Sequence, residues 1–341
     1  MKAKVRYGVV GLGHIARKAV LPAFAHARGN SRLSALISGD SAKLQLLGRQ
    51  YGVDQLYSYD RFDQCMRSGD IDALYVALPH HLHADFTIRA ATHGIHVLCE
   101  KPMAVTEKDC QAMIRAAEKS GARLMVAYRL HLEKANRSTI ELVRSGKIGE
   151  PRLFSSVFSM NVAAGDIRLQ QRPGAGPLYD IGIYCINAAR NLFGEEPVEV
   201  VGIRASGDLR RFADGDEMFS ATLRFPGERL ASLVCSFGAS TCGEFRIVGT
   251  RGSIRLDPAY GYGLDLHQAV TIGARRKDRL FPRSDQFAAE LAYFSNCIQR
   301  GIDPEPSGRE GLADVRVIEA LERSAKKSKP VSLAPIGKPR R

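Results

Sequence analysis

The sequence lacks any arrangement of cysteines that is typical of a metal site or a disulfide framework. The chain has no CxxC motif and no cluster of cysteine with histidine. This absence argues against a zinc site and a disulfide framework, and it indicates reduced thiols in a cytoplasmic protein. The cysteines are scattered along the chain: Cys65, Cys99, Cys110, Cys185, Cys235, Cys242 and Cys297.

Long hydrophobic segments are also absent. No run of 18 apolar residues occurs, so the sequence predicts no membrane span. The N-terminus MKAKVRYGVVGLG enters a strand pattern directly, without a separate apolar segment or cleavage site, so no signal peptide is expected. With 341 residues, 45% hydrophobic and 25% charged, the chain is typical of a two-domain globular protein of enzyme size.

Acidic residues are missing from the C-terminal end, which accounts for part of the net charge of +13. Residues 326–341 contain six basic residues and no acid, and residues 271–283 contain five basic residues and one acid. No nucleic-acid-binding motif accompanies either segment. We therefore expect a basic tail and a basic loop on the surface, and no nucleic-acid partner.

The first 127 residues alternate apolar runs with amphipathic segments. The runs VRYGVVG, LSALIS, DALYVALP, IHVLCE and RLMVAY are continuous in Val, Ile, Leu and Tyr. Helical patterns lie between them, and Thr106 is expected to cap the one at 106–119. This alternation predicts a doubly wound parallel sheet, that is, a Rossmann-type α/β domain over residues 1–127.

The pattern changes after residue 128. A predicted helix at about 131–144 is followed by strand-like runs between residues 151 and 256, and two helical segments lie near 284–300 and 308–326. The runs alternate apolar and polar residues, which is typical of an open, mostly antiparallel sheet. We predict an α+β substrate-binding and oligomerisation domain over 128–330, with a basic tail at 331–341.

A glycine motif follows the first strand. The sequence VVGLGHIA has Gly11 and Gly13, then His14, Ile15 and Ala16 in the first turn of a predicted helix at about 14–27. Glycine at these positions permits a tight turn and a close approach of the backbone to a pyrophosphate. The free N–H groups of the helix start favour the same anion. An ordinary tight turn is the alternative, but the position after a first strand favours dinucleotide binding.

The end of the second strand bears on the choice of dinucleotide. An acid at this place binds a ribose 2′-hydroxyl and repels a 2′-phosphate. Here the strand ends in Ser38 and Gly39, with Lys43 beyond, which suits a 2′-phosphate. The carboxylate of Asp40 opposes binding of a 2′-phosphate. The sequence therefore favours NADP, with NAD as the alternative.

Further candidates lie where other strands of the parallel sheet end. Ligands bind outside the carboxyl ends of such strands. Leu78 is the residue before the proline that ends DALYVALP, and Glu100 and Lys101 follow IHVLC. Pro102 keeps Lys101 out of a helix. A surface lysine at a strand end is the alternative for Lys101.

The stretch YDIGIY places Asp180 and Tyr184 four residues apart in an otherwise apolar helical segment. Side chains at this spacing lie on one face of a helix, one turn apart. One interpretation is a buried carboxylate satisfied by a tyrosine hydroxyl. The other is a pair that contacts a substrate.

GLGHIA, CEKP and DIGIY, in this order, resemble the family of glucose–fructose oxidoreductase, inositol 2-dehydrogenase and MocA-type proteins. YDIGIYCINAARNLFGEEP and QYGVDQLYSYDRFDQC are most similar to the glucose–fructose oxidoreductase branch. The resemblance implies cofactor and substrate binding by Lys101, substrate contact by Asp180 and proton transfer by Tyr184. It also implies that His83 lies near the nicotinamide, and that the second domain forms oligomer contacts in a homodimer or homotetramer.

Several positions depart from the family pattern, and others have more than one candidate role. Ile167 stands where relatives often carry tryptophan, and the chain has no tryptophan at all. Arg168 is kept and is a substrate-binding candidate. Tyr128 and Arg129 follow the strand run RLMVAY and are further substrate candidates, although Arg129 also suits a structural ion pair. Asn187 faces either substrate or the helix surface. His80 and His81 with His83 give no convincing metal site, and none is expected.

Taken together, the sequence predicts an NADP-dependent oxidoreductase that acts on an aldose or a related cyclic polyol. Tyr184 exchanges a proton with a sugar hydroxyl, the Lys101 cation favours the phenolate, and Asp180 orients the ring. Asp180 and Tyr184 are expected to face the nicotinamide across a cleft. The alternatives are a cofactor-assisted glycosidase without net redox, and a non-catalytic NADP-binding sensor.

Overall fold

A computed structural model describes residues 3–213 and 215–334 of the chain. These residues divide into two compact units. The first unit comprises the chain up to Leu132 together with Asp285–Leu312, and the second comprises Glu133–Ser284 and the residues from Ala313 onwards. No helix within the described ranges is long and apolar enough to cross a membrane.

Strands and helices follow one another along the whole described chain. The strands are β1 (Val5–Val10), β2 (Ser31–Ile37), β3 (Gln55–Tyr57), β4 (Ala73–Val76), β5 (His96–Glu100), β6 (Leu124–Ala127), β7 (Pro151–Ser159), β8 (Glu199–Ala205), β9 (Met218–Phe225), β10 (Arg229–Ser236), β11 (Cys242–Gly249), β12 (Gly252–Leu256), β13 (Leu266–Ile272), β14 (Arg275–Phe281) and β15 (Val331–Ser332). The α-helices are α1 (Leu21–Ala23), α2 (Ser41–Tyr51), α3 (Phe62–Arg67), α4 (His83–Thr92), α5 (Glu107–Ser120), α6 (Lys134–Arg144), α7 (Ile183–Phe193), α8 (Gln286–Arg300) and α9 (Gly308–Lys327). Short π-helical turns occur at Ala16–Val20 and Leu178–Gly182.

The first unit contains a six-stranded sheet in the order β3-β2-β1-β4-β5-β6, and every pairing in it is parallel. Strands β4 and β6 are buried at each residue, as expected for a sheet covered on both faces. This confirms the predicted Rossmann-type sheet. The sequence analysis missed β3, because Gln55–Tyr57 is only three residues long and partly exposed.

The expected helix cap at Thr106 is present in the first unit. Its side chain accepts a hydrogen bond from the backbone N–H of Asp109 at 3.1 Å, and α5 begins at the next residue. Capping of this kind satisfies a donor that the first turn leaves without an intrahelical partner.

Helix α8 belongs to the first unit, although the sequence-based division assigned its residues to the second domain. Phe287, Leu291 and Phe294 are buried in the same hydrophobic core as the strand residues of β1 and β4. The Tyr7 hydroxyl on β1 and the Ser295 hydroxyl on α8 are 2.9 Å apart. The amphipathic pattern of α8 is visible in the sequence, but a helical pattern alone does not reveal which sheet its apolar face covers.

The second unit contains a nine-stranded sheet in the order β14-β13-β12-β11-β7-β10-β9-β8-β15. Among the described strands of this second sheet, only β7 and β10 pair in parallel, and the other neighbours are antiparallel. Buried and exposed residues alternate along β9 and β10. This pattern confirms the predicted open, mostly antiparallel sheet.

The basic segment at 271–283 is not the loop that the sequence suggested. Arg275–Phe281 forms β14, an edge strand paired with β13. The residues from Arg275 to Leu280 are all exposed, so the strand lacks the apolar alternation that would identify it. Charged side chains on an edge strand oppose pairing with other chains. Of the predicted basic tail, Val331–Ser332 forms β15, and residues 335–341 lie outside the described residues.

Candidate active site

The glycine turn after β1 has the geometry of a phosphate cradle. Gly11 has a φ of +89°, and a Cβ there would lie 2.5 Å from the carbonyl oxygen of Ala77, so only glycine fits. A Cβ on Gly13 would meet no atom within 4 Å, which leaves open space beside the start of the next helical turn. His14 is exposed there and Ile15 is half-buried. The turn therefore fits the pyrophosphate of a dinucleotide.

Ser38, Asp40 and Lys43 come together at the end of β2. Asp40 caps α2 by accepting from the backbone N–H of Lys43 at 2.9 Å, and the Lys43 ammonium pairs with the same carboxylate at 3.2 Å. The Lys43 backbone and ammonium hold the pKa of Asp40 below its ordinary value. Asp40 is therefore both a structural cap and a partial counterion of the lysine that was predicted to bind a 2′-phosphate.

Tyr59 was missed in the sequence analysis and lies against the same strand end. A Cβ on Gly39 would be 3.1 Å from the Tyr59 ring, so glycine leaves room for this ring. Burial raises the pKa of Tyr59, while hydrogen bonding to Gly39 and Ser38 opposes the shift. The motif SYDRF gave no signal for this contact, because residue 59 meets Ser38 and Gly39 only through the pairing of β2 with β3.

Glu100 and Lys101 lie at the carboxyl end of β5, as predicted, and both are largely buried. The Tyr75 hydroxyl donates to Glu100 Oε1 at 2.8 Å, and the backbone N–H of Lys101 donates to Glu100 Oε2 at 3.3 Å. Burial raises the pKa of Glu100, while the positive charge of Lys101 opposes the shift. Glu100 therefore supports the backbone on which Lys101 is carried.

His83 is closed off from solvent, with 0% of its surface exposed. Its Nδ1 lies 2.8 Å from the Pro102 carbonyl oxygen, and its Nε2 lies 2.8 Å from the Leu78 carbonyl oxygen. Burial lowers the pKa of His83 to about 4. The ring thus links the chain after β4 to the chain after β5. A neutral ring has one N–H and donates to one of these two carbonyl oxygens. Its burial between the two segments supports a positioning role for His83.

Tyr128 and Arg129 are also deeply buried, at 1% and 5% exposure. Arg129 Nη1 donates to Gln286 Oε1 on α8 at 2.6 Å, and the Tyr128 ring lies beside that of His131. Arg129 is therefore bonded to a neutral amide, and its contact with substrate stays a prediction. Leu78 is at the cradle, since its Cδ2 would be 3.0 Å from a Cβ on Gly11.

In the second unit, the structure brings Arg168 and Asp180 together. Arg168 Nε donates to Asp180 Oδ2 at 2.8 Å, and Asp166 lies within 3.4 Å of the same guanidinium. Burial acts to lower the pKa of Arg168, but the charges and hydrogen bonds of Asp180 and Asp166 together outweigh it, and the pKa is raised. Asp180 keeps a side-chain exposure of 19%, so its carboxylate is paired without being closed off.

The helix carrying Asp180 starts as a π-helical turn, Leu178–Gly182, and continues as α7. A Cβ on Gly182 would lie 2.9 Å from the sulfur of Cys235 on β10, so the glycine allows the turn to pack closely on the sheet. Isolated π-helical turns are frequent at functional sites. The sequence predicted a regular helix here, because a single π turn leaves the apolar pattern almost unchanged.

Tyr184 lies in an aromatic cluster on the second sheet. The Phe158 ring is 5.7 Å from the Tyr184 ring, edge to face, and the Tyr260 ring is 6.1 Å away. The hydroxyls of Tyr260 and Ser156 are 2.7 Å apart, which anchors the cluster to β7. Tyr184 is therefore held in one orientation by neighbours that the sequence did not single out.

Asn187, one turn after Tyr184, is buried. Its side-chain amide donates to Asp314 Oδ2 on α9 at 2.8 Å. The Arg190 guanidinium pairs with the other oxygen of Asp314 at 2.5 Å. Asn187 is therefore not a helix-surface residue, because its side chain is buried and bonded to α9.

Two family models match the chain. Residues 5–128 match the oxidoreductase family with an NAD-binding Rossmann fold, and residues 137–255 match the GFO/IDH/MocA C-terminal domain. The chain belongs to the GFO/IDH/MocA oxidoreductase family. This confirms the resemblance drawn from GLGHIA, CEKP and DIGIY.

Relatives within the GFO/IDH/MocA family match along almost their whole length. An oxidoreductase of Rhizobium meliloti is 32% identical over 95% of this chain and 97% of its own. The NADP-dependent D-xylose 1-dehydrogenase of Haloarcula marismortui is 30% identical over 96% of this chain and 93% of its own. The structure of aldose–aldose oxidoreductase from Caulobacter crescentus, complexed with glycerol, is 39% identical over 97% of this chain and 100% of that chain, with a TM-score of 0.91. These matches confirm an enzyme that uses a nicotinamide dinucleotide.

Proposed function

We propose that this enzyme is an NADP-dependent oxidoreductase of sugars, acting at a hydroxyl or carbonyl carbon of an aldose or related cyclic polyol. The single observation that carries the proposal is the Arg168–Asp180 pair, placed one turn before Tyr184 on a framework that belongs to a redox family. Similarity to a D-xylose dehydrogenase and to an aldose–aldose oxidoreductase supports a sugar as the substrate.

The proposed chemistry assigns a separate task to each side chain. When bound, the nicotinamide ring supplies the acceptor or donor of a hydride. Tyr184 Oη takes the proton of the sugar hydroxyl in oxidation and returns it in reduction. Lys101 provides a positive charge that favours a negatively charged oxygen on the sugar. Asp180, oriented by Arg168, accepts a hydrogen bond from a neighbouring sugar hydroxyl and fixes the ring.

The preference for NADP rests on the end of β2. Ser38, Gly39 and Lys43 offer a hydroxyl, a backbone N–H and a cation to a 2′-phosphate. The Tyr59 ring adds an aromatic surface at the same place. Asp40 weakens the preference, because its carboxylate pairs with Lys43. We therefore infer a preference for NADP with measurable binding of NAD.

We further propose that the first unit is the dinucleotide-binding domain and that the second binds substrate and forms a homo-oligomer, a dimer or a tetramer. One face of the second sheet exposes apolar side chains in register, since Leu230 lies opposite Leu153 and Val234 opposite Val157. A patch of this kind on a sheet is typical of a protein interface. A cytoplasmic location stays a prediction, supported by seven cysteines that are all free.

A screen of cofactor reduction with aldoses and polyols tests the proposed function. We expect NADPH to form with at least one sugar, in proportion to the sugar oxidised. A parallel assay with aryl glycosides would show cleavage of the glycosidic bond without net NADPH formation if the enzyme were instead a cofactor-assisted glycosidase. Binding of NADP without any sugar turnover, in either direction, would identify a non-catalytic sensor. Either of these last two results would overturn the proposal.

A further inference from the structure

Helix α8 carries a glutamate that the proposed chemistry does not use. Glu290 is 0% exposed, and neither of its carboxylate oxygens has a hydrogen-bond partner among the described residues. An ionised carboxylate without partners is strongly destabilising in a protein interior. A buried glutamate in this situation is tolerated when it carries a proton.

The charges that act on Glu290 belong to the candidate site in the first unit. Burial and the negative charge of Glu100 raise the pKa of Glu290 well above its ordinary value, and the Arg129 guanidinium opposes them. Arg129 is held by Gln286, one turn earlier on the same helix. Glu100 in turn accepts from the backbone N–H of Lys101. Glu290 is therefore coupled electrostatically to the residues that carry and surround Lys101.

Other titratable groups on the elements packed against α8 are exposed or engaged elsewhere. Tyr7 on β1 is bonded to Ser295, and His131 lies beside the Tyr128 ring. The exposed ones are Arg17, Lys18, His26 and Arg32, of which His26 pairs with the helix cap Asp285. Glu100 and Arg129 are thus the charges that matter for Glu290.

We propose that Glu290 is protonated when the enzyme works, and that its proton biases the site between the reduced and oxidised forms of the dinucleotide. The inference rests on the proposed function, because that function places the nicotinamide end of the cofactor at Lys101. Glu290 touches neither cofactor nor substrate and acts through Glu100 and Lys101, so it is a positioning residue.

The direction of the bias follows from the charges. With Glu290 neutral, Lys101 and Arg129 carry two positive charges against the one negative charge of Glu100. The oxidised nicotinamide ring is positively charged and the reduced ring is neutral, so this excess disfavours the oxidised form. Loss of the Glu290 proton removes the excess and favours the oxidised form.

Glu290→Gln keeps the shape of the side chain and fixes it as neutral. The dissociation constants of NADP⁺ and NADPH are measured by calorimetry at a series of pH values on the wild type, on E290Q and on E133Q. Glu133 is a suitable control, because it is also buried but its carboxylate accepts from Ala135 and Asn136. We expect the preference of the wild type for NADPH to fall by about fivefold as pH rises and Glu290 loses its proton. E290Q should keep the low-pH preference throughout, while E133Q should follow the wild type.

Stability provides a second readout that does not involve the cofactor. The folded-state pKa of Glu290 is raised, so its contribution to stability is present at low pH and is lost as pH rises. The melting temperature of E290Q should therefore rise relative to that of the wild type with increasing pH. If E290Q does not fold, the protons that the wild type releases on binding each cofactor are measured in weak buffer instead. Binding of NADP⁺ should then release more protons than binding of NADPH.

Several outcomes would overturn the inference. If Glu290 is ionised and paired with Arg129 throughout, E290Q will melt lower at every pH and will prefer NADPH by a constant factor. A preference for NADPH that is independent of pH and equal in wild type and E290Q also contradicts it, as does equal proton release with both cofactors. These results would contradict only the role of Glu290 and would leave the proposed function intact. Failure of either dinucleotide to bind would count against the proposed function.

Discussion

Arg168 donates a hydrogen bond from Nε to Asp180 Oδ2 at 2.8 Å, so the aspartate of the DIGIY motif is matched by an arginine twelve residues earlier. The arginine comes from a short 3₁₀ turn, Ile167–Leu169, and the aspartate from a π-helical turn. Two irregular segments therefore hold one ion pair at the candidate substrate site. Both side chains are partly buried, and the bond between them fixes the orientation of the carboxylate.

Removal of Arg168 should harm turnover more than folding. We expect Arg168→Met to lower kcat/KM by roughly 10²-fold, because Asp180 loses the partner that orients it. The melting temperature should change little. Arg172→Met is the control, since Arg172 is an exposed arginine of the same segment. Steady-state kinetics on the sugar with the highest turnover measures kcat/KM for both variants. Equal losses of kcat/KM in the two would contradict a role of Arg168 in the substrate site.

Tyr184→Phe separates proton transfer from packing. The ring stays in its aromatic cluster, so only the hydroxyl is lost. If Tyr184 moves the proton, kcat should fall by roughly 10²–10⁴-fold while cofactor affinity stays within a few-fold. Tyr179→Phe is a matched control, because Tyr179 has the same exposure of 8% and lies on the same helix. A Tyr184→Phe enzyme with near-normal kcat and a stability loss of about 1–3 kcal/mol would leave Tyr184 as a structural residue.

Substitution of Lys43 and substitution of Asp40 should change the preference for NADP over NAD in opposite directions. Lys43→Ala removes a cation from the end of β2 and should narrow the preference over NAD. Asp40→Asn removes the competing carboxylate, keeps an oxygen that can cap α2, and should widen the preference several-fold. Calorimetry with both dinucleotides measures the effect, and Lys119→Ala on the exposed face of α5 serves as control. Equal or tighter binding of NAD by the wild type would refute the preference.

Acid should destabilise the protein partly through His83. The folded-state pKa of His83 is lowered to about 4, so the unfolded chain binds more protons below the ordinary histidine value. The contribution of His83 to stability is therefore present above about pH 6.5 and is lost as pH falls to about 4, by about 3 kcal/mol in all.

Urea denaturation over this range measures the contribution of His83. His83→Asn should be less stable than the wild type at neutral pH, and the gap should shrink in acid. His81→Asn, which changes an exposed neighbour, should keep the pH dependence of the wild type. A gap that stays constant with pH would contradict the assignment.

The exposed apolar face of the second sheet predicts self-association. Val234→Lys places a charge opposite Val157 in the middle of this face and should shift the protein towards smaller species. Light scattering at micromolar concentration reports the mass. Leu46→Lys is the control, because Leu46 is 63% exposed on α2 and lies outside the second sheet. A wild type that is strictly monomeric would refute the proposal.

Local patterns in the sequence were sufficient for the class of both sheets, the cradle at Gly11 and Gly13, and the place of Lys101 at a strand end. Each depends on residues close together in the chain, or on the rule that ligands bind at the carboxyl ends of parallel strands. The same holds for Asp180, whose spacing to Tyr184 marked it before its partner was known.

Contacts between residues far apart in sequence cannot be predicted from local patterns. Gln286 and Arg129 are separated by 157 residues, and no local pattern connects them. Tyr260 behind Tyr184, Tyr59 beside Gly39 and Glu290 near Glu100 were missed for the same reason. Burial likewise decides the surroundings of Arg129 and Asn187, and it follows from tertiary packing rather than from residue type.

The return of α8 to the first unit has a consequence for biosynthesis. During translation the β1–β6 segment leaves the ribosome long before Phe287, Leu291 and Phe294, which belong to its core. The nucleotide-binding unit is therefore incomplete until residues up to 312 have been made, after all of β7–β14. A fragment ending at residue 127 would leave apolar surface of β1 and β4 without its cover and should aggregate. The first unit therefore needs both the segment up to Leu132 and the segment Asp285–Leu312 in order to form.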